Sequence, residues 1–141
     1  MYEIPLGLAY IFSFMIGSCF GSFANVIIYR WPISKSFVAP RSQCTKCGAL
    51  IAWYDNVPIL SWIFLKARCR RCKSGISWRY PLIETLTGLL FLAVFIKYGW
   101  SWIVIEYWYF LFAIVAASFI DLDHFLLPDM LTLSGIAIGL I

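Results

Sequence analysis

The chain has 141 residues, of which 62% are hydrophobic, 19% aromatic and 13% charged, and its mean hydropathy is +0.85. A chain this small cannot bury so much apolar surface in a water-soluble globule, so a soluble fold is excluded and the remainder must face lipid. The net charge of +4 is informative by location: ten of the eleven basic residues lie from Arg30 to Arg79, between the first and second apolar runs, and Lys97 stands apart. By the positive-inside rule this segment is expected in the cytoplasm, a reducing compartment.

Taken in order, Ile4 to Tyr29 is a run with no charge between Glu3 and Arg30, long enough for a spanning helix. A cleaved signal peptide would carry positive charge before its apolar core. The run therefore reads as a retained anchor, residues 1–30, with its N-terminus outside. Gly17, Ser18, Gly21 and Ser22 give it a small face in GxxxG spacing, suited to close helix packing. Asn25 reads as a packing hydrogen bond in preference to a site residue, and Cys19 as a small buried hydrophobe.

Residues 31–79 form the expected cytoplasmic unit. Pro32, Pro40 and Pro58 break it too often for long helices, and it is too small for a substantial core. It carries two CxxC pairs, Cys44 with Cys47 and Cys69 with Cys72, separated by 21 residues. A two-residue spacer lets both sulfurs of a pair reach one ion at ~2.3 Å, so a closed structural Zn²⁺ site of four thiolates is the favoured reading, and the metal would supply stability that the missing core cannot. Disulfides would need an oxidising compartment, and a thioredoxin-like redox motif would need a βαβ surround. Tyr54-Asp55-Asn56 before Pro58 signals a turn, and Ile59 to Leu65 a short strand or helical turn. The basic cluster from Lys66 to Lys73 can set topology, hold anionic lipid or bind nucleic acid; its place beside two spans favours the first two, and no nucleic-acid partner is expected.

The second span is expected from about Tyr80 or Pro81 to Ile96, with Pro81 in a first helical position. Glu84 near its inner end is either a functional acid or a side chain that snorkels or pairs with Arg79. Lys97 to Trp102 reads as an external turn with aromatic anchors, and Trp102 to Ile120 as the third span returning to the cytoplasm. Glu106 reads as a packing or interface residue, and His124 as a surface residue. Asp121 to Asp129 then leads into a fourth apolar run, Met130 to Ile141, whose 12 residues are shorter than the ~20 that span a bilayer. No repeat is evident. The fold class is thus mainly α: a polytopic helical membrane protein with a small cytoplasmic tetracysteine loop unit, helices two to four occupying residues 80–141.

Four blocks in order carry a family resemblance: GSFANVIIYRWP at 21–32, the CxxC pairs enclosing WYDNVPILSW at 53–62, RYPLIETLTG at 79–88, and DLDHFLLPDMLTL at 121–133. Together they resemble the bacterial prepilin peptidases, membrane aspartic peptidases of the GxGD type. The resemblance covers the whole chain. It implies cleavage of the basic leader from type IV prepilins or type II secretion pseudopilins at the cytoplasmic face of the inner membrane. In many members it also implies methylation of the new N-terminus from S-adenosylmethionine, although no glycine-rich loop follows a strand here. Asp121 stands in the position of the family's first catalytic aspartate. The second, in GxGD on a later helix, has no counterpart among the 141 residues.

Elementary chemistry agrees. An aspartic peptidase needs two carboxylates close enough to share a proton, one activating water while the other polarises the scissile carbonyl. On a helix Asp121 and Asp123 point about 200° apart, and Asp121 and Asp129 are separated by about 12 Å of rise with Pro128 between them. The chain is therefore expected to supply half of a dyad and to be inactive alone. Without the resemblance, residues 121–129 read as a solvated turn. Three classes stay open: a peptidase, a methyltransferase, and a noncatalytic membrane zinc module that recruits pilus or secretion partners.

Overall fold

A computed structural model describes residues 5–36, 41–125 and 133. Its order is α1 (Leu6–Arg30), a 3₁₀ turn (Trp31–Ile33), a second 3₁₀ turn (Trp53–Asn56), α2 (Leu60–Phe64), α3 (Arg79–Tyr98) and α4 (Trp102–His124). Among the described residues three helices are long and apolar enough to cross a membrane: α1 continued to Ile33, α3 and α4. At 1.5 Å per residue they measure ~30 Å or more, the thickness of a hydrocarbon core. The fold is mainly helical, with the four cysteines in the segment between α1 and α3.

The three long helices pack as one bundle. Gly17 and Gly21 let α1 lie almost backbone to backbone on α3: a Cβ at Gly21 would fall 2.7 Å from Glu84 Cα, and one at Gly17 would fall 2.8 Å from Gly88 Cα. Gly88 returns the contact, receiving Ser18 and the Phe14 ring of α1. Lipid tails are as apolar as leucine, so such close backbone approach, with its dispersion contacts, is what holds helices together in a bilayer. The Phe91 carbonyl of α3 accepts Ser13 Oγ of α1 at 3.2 Å and Trp108 Nε1 of α4 at 2.9 Å, while the Phe91 and Trp108 rings stack at 4.9 Å. Buried Ala24, Ile28, Ile83, Phe112, Ala116 and Ile120 fill the remaining seam. Asn25 donates to the Tyr80 carbonyl at 3.2 Å, a packing hydrogen bond as expected.

Several details differ from the sequence reading. α3 begins at Arg79, so Pro81 is its third residue, still within the first turn where its missing N–H costs nothing. Gly99, at φ 59°, stops the helix after Tyr98. α4 runs past Ile120 to His124, which places Asp121 and Asp123 on its last helical turn; Phe125 closes it in the left-handed region, donating to the Asp121 carbonyl at 2.8 Å. Cys19 is exposed, not buried. On a helix in lipid the outward face is also apolar, so an apolar setting does not place a residue inside. Asp129 and the run Met130 to Ile141, apart from Leu133, lie outside the described residues.

Candidate functional site

The segment between α1 and α3 is built from two copies of one small unit. In the first, the Cys44 N–H donates to Ala49 O, the Gly48 N–H to Cys44 O and the Ile51 N–H to Ser42 O; in the second, Cys69 donates to Ser74 O, Lys73 to Cys69 O and Ile76 to Ala67 O. The isolated bridges Gln43↔Leu50 and Arg68↔Gly75 fall at the same offsets. The sequence carries the repeat as C-x₂-C-x₃-I-x-W, ending at Trp53 and again at Trp78, a short duplication that the sequence reading missed. Gly48 and Lys73 hold equivalent left-handed positions, at φ 68° and φ 59°.

Two such knuckles face each other and bring the four cysteines together. The Sγ atoms of Cys44, Cys47, Cys69 and Cys72 all lie within 4.8 Å of one another, and Cys44 Sγ is 3.8 Å from Cys72 Sγ. A tetrahedral ion with bonds of ~2.3 Å demands sulfur separations of about 3.8 Å, so the donor set fits zinc in both number and span. The thiols are already differentiated. Backbone N–H groups of Cys47 and Lys46 draw the Cys44 thiol down to about 6. Hydrogen bonds from the Ser74 side chain and backbone lower that of Cys72. At Cys47 the Ala49 N–H is outweighed by desolvation and by the sulfurs of Cys72, Cys44 and Cys69, which push it up to about 11. Four sulfurs this close share protons as a set, and a divalent cation is what lets all four ionise together. They leave no open position, so the arrangement suits a structural metal.

The loop unit is fastened at two further points. Arg70 forms a two-pronged ion pair with Asp55, Nε to Oδ2 at 2.7 Å and Nη2 to Oδ1 at 2.6 Å, which holds the Asp55 carboxyl below the usual carboxylate range. Thus one member of the basic cluster ties the second knuckle to the 3₁₀ turn. The other fastening is Glu84, buried in the first turns of α3, whose Oε2 accepts the Ile59 N–H at 2.7 Å. Ile59 is the centre of a tight turn, at φ 62° and ψ −54°, with the Leu60 N–H reaching the Pro58 carbonyl at 2.5 Å. That conformation is a strained one for a β-branched residue. Of the alternatives read from the sequence for Glu84, pairing with Arg79 is not what forms. Arg79 Nη1 instead pairs with Asp123 at 2.8 Å, its Nη2 reaches the Phe119 carbonyl at 3.3 Å, and its guanidinium lies 5.0 Å over the Phe119 ring. The segment 59–65 is accordingly a turn followed by the short helix α2.

Asp121 and Asp123 share the last turn of α4 but leave it on different sides. Asp123 is drawn to Arg79, while Asp121 is exposed, as are His124 and Glu106. No acidic partner is brought to Asp121 by any ion pair or hydrogen bond among the described residues.

Comparison with known proteins gives this arrangement a lineage. The family Bacterial Peptidase A24 N-terminal domain matches residues 15–98, from the middle of α1 through the loop unit to the end of α3. A prepilin leader peptidase/N-methyltransferase of Myxococcus xanthus is 48% identical over 92% of this chain and 39% of its own length. A type 4 prepilin-like proteins leader peptide-processing enzyme of Escherichia coli is 42% identical over 89% of this chain and 53% of its own. A prepilin leader peptidase/N-methyltransferase of Neisseria gonorrhoeae is 38% identical over 90% and 53%. The chain therefore spans about two fifths to one half of the length of the curated relatives it matches. No solved structure matches it. With more than half of its residues covered by that match, the chain belongs to the bacterial A24 peptidase family, whose N-terminal domain it contains.

Proposed function

We propose that this chain is the amino-terminal part of a prepilin leader peptidase, which cuts the basic leader from type IV prepilins or type II secretion pseudopilins at the cytoplasmic face of the inner membrane. The observation that carries the reading is the pairing of the family match over 15–98 with an exposed carboxylate, Asp121, at the end of a spanning helix on the loop side of the bundle. Ten of the eleven basic residues lie on that same side, which supports its cytoplasmic placement.

In this reading Asp121 is one catalytic carboxylate, holding or accepting a proton at its Oδ while water attacks the scissile carbonyl. The second carboxylate must come from another helix, because hydrolysis needs both roles filled. Cys44, Cys47, Cys69 and Cys72 hold a structural zinc that fixes the loop unit beside this face. Asp123 serves the helix end through Arg79 and takes no part in proton transfer. Methyl transfer from S-adenosylmethionine is the second reading. It is favoured by the names of the Myxococcus xanthus and Neisseria gonorrhoeae relatives, each a leader peptidase/N-methyltransferase, and by the extent of the family match, which ends before Asp121.

The test is prepilin cleavage by this chain joined to a further GxGD-bearing helix, with and without S-adenosylmethionine. Asp121→Asn and Asp121→Ala are expected to lower turnover by several orders of magnitude, and Asp123→Asn to be far milder. Robust, Asp121-dependent cleavage by the 141 residues alone would refute the missing-partner argument. Methylation that survives Asp121→Asn would place that activity elsewhere in the chain.

A further inference from the structure

The second knuckle and the inner end of α4 meet through one side chain. The duplicated segment finishes at Trp78, and the next residue, Arg79, opens α3. Its guanidinium crosses to the last turns of α4, with Nη1 on Asp123 Oδ1 at 2.8 Å, Nη2 on the Phe119 carbonyl at 3.3 Å and Cζ 5.0 Å over the Phe119 ring. The knuckle side of this junction is itself fixed: the Ile76 N–H donates to Ala67 O at 2.7 Å, Trp62 Nε1 to Ile76 O at 3.2 Å, and the Arg79 N–H to Ser77 Oγ at 3.2 Å. A planar guanidinium that gives its two arms to different acceptors and its face to a ring sets an orientation as well as a distance. Neither charge suits its own helix, since a cation at the start of α3 and an anion at the end of α4 both oppose the helix dipole. What the pair serves is therefore the junction between the helices. Asp121 and Asp123 leave α4 about 200° apart, so drawing Asp123 toward α3 turns Asp121 to the other side, where it is exposed. The Phe125 N–H on the Asp121 carbonyl closes this turn without tying it to another element. Among the described residues, Arg79 makes the one hydrogen bond or ion pair that reaches residues 121–125 from outside α4.

We propose that Arg79 is a positioning residue for Asp121: it holds the last turn of α4 at one rotation against α3, and so joins the set of the four-cysteine unit to the aim of that carboxylate. This rests on the catalytic reading of Asp121 given above. Arg79 forms no bond to Asp121 among the described residues and acts only through the backbone that Asp121 shares with Phe119 and Asp123. The effect is large because proton transfer and water attack depend on close placement, and a misplacement of about 1 Å costs about a hundredfold in rate. Substrate held elsewhere on the bundle would bind as before, so the loss falls on turnover.

The experiment has two arms. In the 141-residue chain in mild detergent, Arg79→Gln is expected to quicken amide exchange at residues 121–125 about tenfold, a figure kept modest because the paired side chains are 34% and 31% exposed. Amides of α4 around Trp108 should be little changed. In this chain joined to a GxGD-bearing helix, Arg79→Gln is expected to lower kcat for prepilin cleavage by about tenfold to a hundredfold, with KM held within about twofold. Arg79→Lys keeps the charge but loses the second arm, and should recover part of the loss. Lys35→Gln, which removes another exposed cation from the same side, should leave kcat within about twofold of wild type. Unchanged exchange at 121–125, a lower melting temperature with kcat per folded molecule intact, or an equal loss in Lys35→Gln would overturn the proposal. If Arg79→Gln does not fold, Asp123→Ala removes the same anchor from the other end and should lower kcat about fivefold; an unchanged kcat there would overturn it equally. Failure of the Asp121 reading looks different: cleavage would survive Asp121→Asn while Arg79→Gln still quickened exchange, which would leave the clamp no part in catalysis.

Discussion

Glu84 offers the sharpest test of how the loop unit is held. Its Oε2 is the acceptor for the Ile59 N–H at 2.7 Å, and Ile59 occupies a positive-φ turn that the chain would not adopt by preference. Glu84→Ala removes that acceptor and leaves a half-buried main-chain donor without a partner, which costs about 1–3 kcal/mol. Taking ~2 kcal/mol, local opening at the turn becomes about thirtyfold more frequent. Amide hydrogen exchange at Ile59 and Leu60 reads this directly and should rise by that factor, with the amides of α3 beyond Gly88 little changed. Glu84→Gln keeps a neutral acceptor and should lie between the two. Unchanged exchange at Ile59 in Glu84→Ala would refute the reasoning, since the turn would then be held by its own contacts.

The remaining predictions concern other joints. Gly21→Ala puts a Cβ within 2.7 Å of Glu84 Cα and 2.9 Å of the Ile83 carbonyl, so it should cost about 1–3 kcal/mol of bundle stability in thermal unfolding. Lys73→Gly, at the position matched by Gly48, should stabilise the second knuckle by up to about 1 kcal/mol, read as a higher melting temperature. Replacing Cys44 or Cys72 by Ser should loosen the loop unit and lower yield, and elemental analysis of protein purified without added metal should find one zinc per chain; near-zero zinc with intact folding would remove the metal. Asp55 has a folded pKa depressed chiefly by its hydrogen bonds from Arg70. Its contribution is therefore full above the unfolded value of about 3.9 and lost as pH falls through the lower folded value. Asp55→Asn should lower the melting temperature at pH 7 and leave it unchanged once the wild-type carboxyl is protonated.

Much of this architecture is written locally in the chain. The spans follow from uninterrupted apolar runs, the GxxxG face from four small residues, and the four-cysteine cluster from two-residue spacers, because each depends on neighbours within a few positions. What is not legible is what the tertiary fold decides. Glu84 finds Ile59, 25 positions away, and leaves Arg79 to Asp123, 44 positions away; no spacing rule connects these pairs. Cys19 misleads because both sides of a membrane helix are apolar. The duplicated knuckle was readable, since Ile51 and Trp53 recur as Ile76 and Trp78, but the shared letters beyond the cysteines are too few to stand out before the equivalent hydrogen bonds are seen. The role proposed for Asp121 rests on the resemblance of the block at 121–133, since its own surroundings are simply those of an exposed helix end.

The backbone contact of α1 on α3 also bears on how the protein is made. α1 leaves the ribosome first, and until α3 arrives its Ser13 and Asn25 side chains lack the carbonyls of Phe91 and Tyr80 that later receive them. The whole of 31–78 must be synthesised before the glycine face of α1 meets its partner, so pairing requires closure of a long tether. Bringing Cys44 to Cys72, 28 positions apart, takes much of that tether out of play, and each halving of a loop eases closure by ~0.6 kcal/mol. A metal held by the four cysteines would thus favour pairing of α3 with α1, and without it the two helices would meet across the full tether.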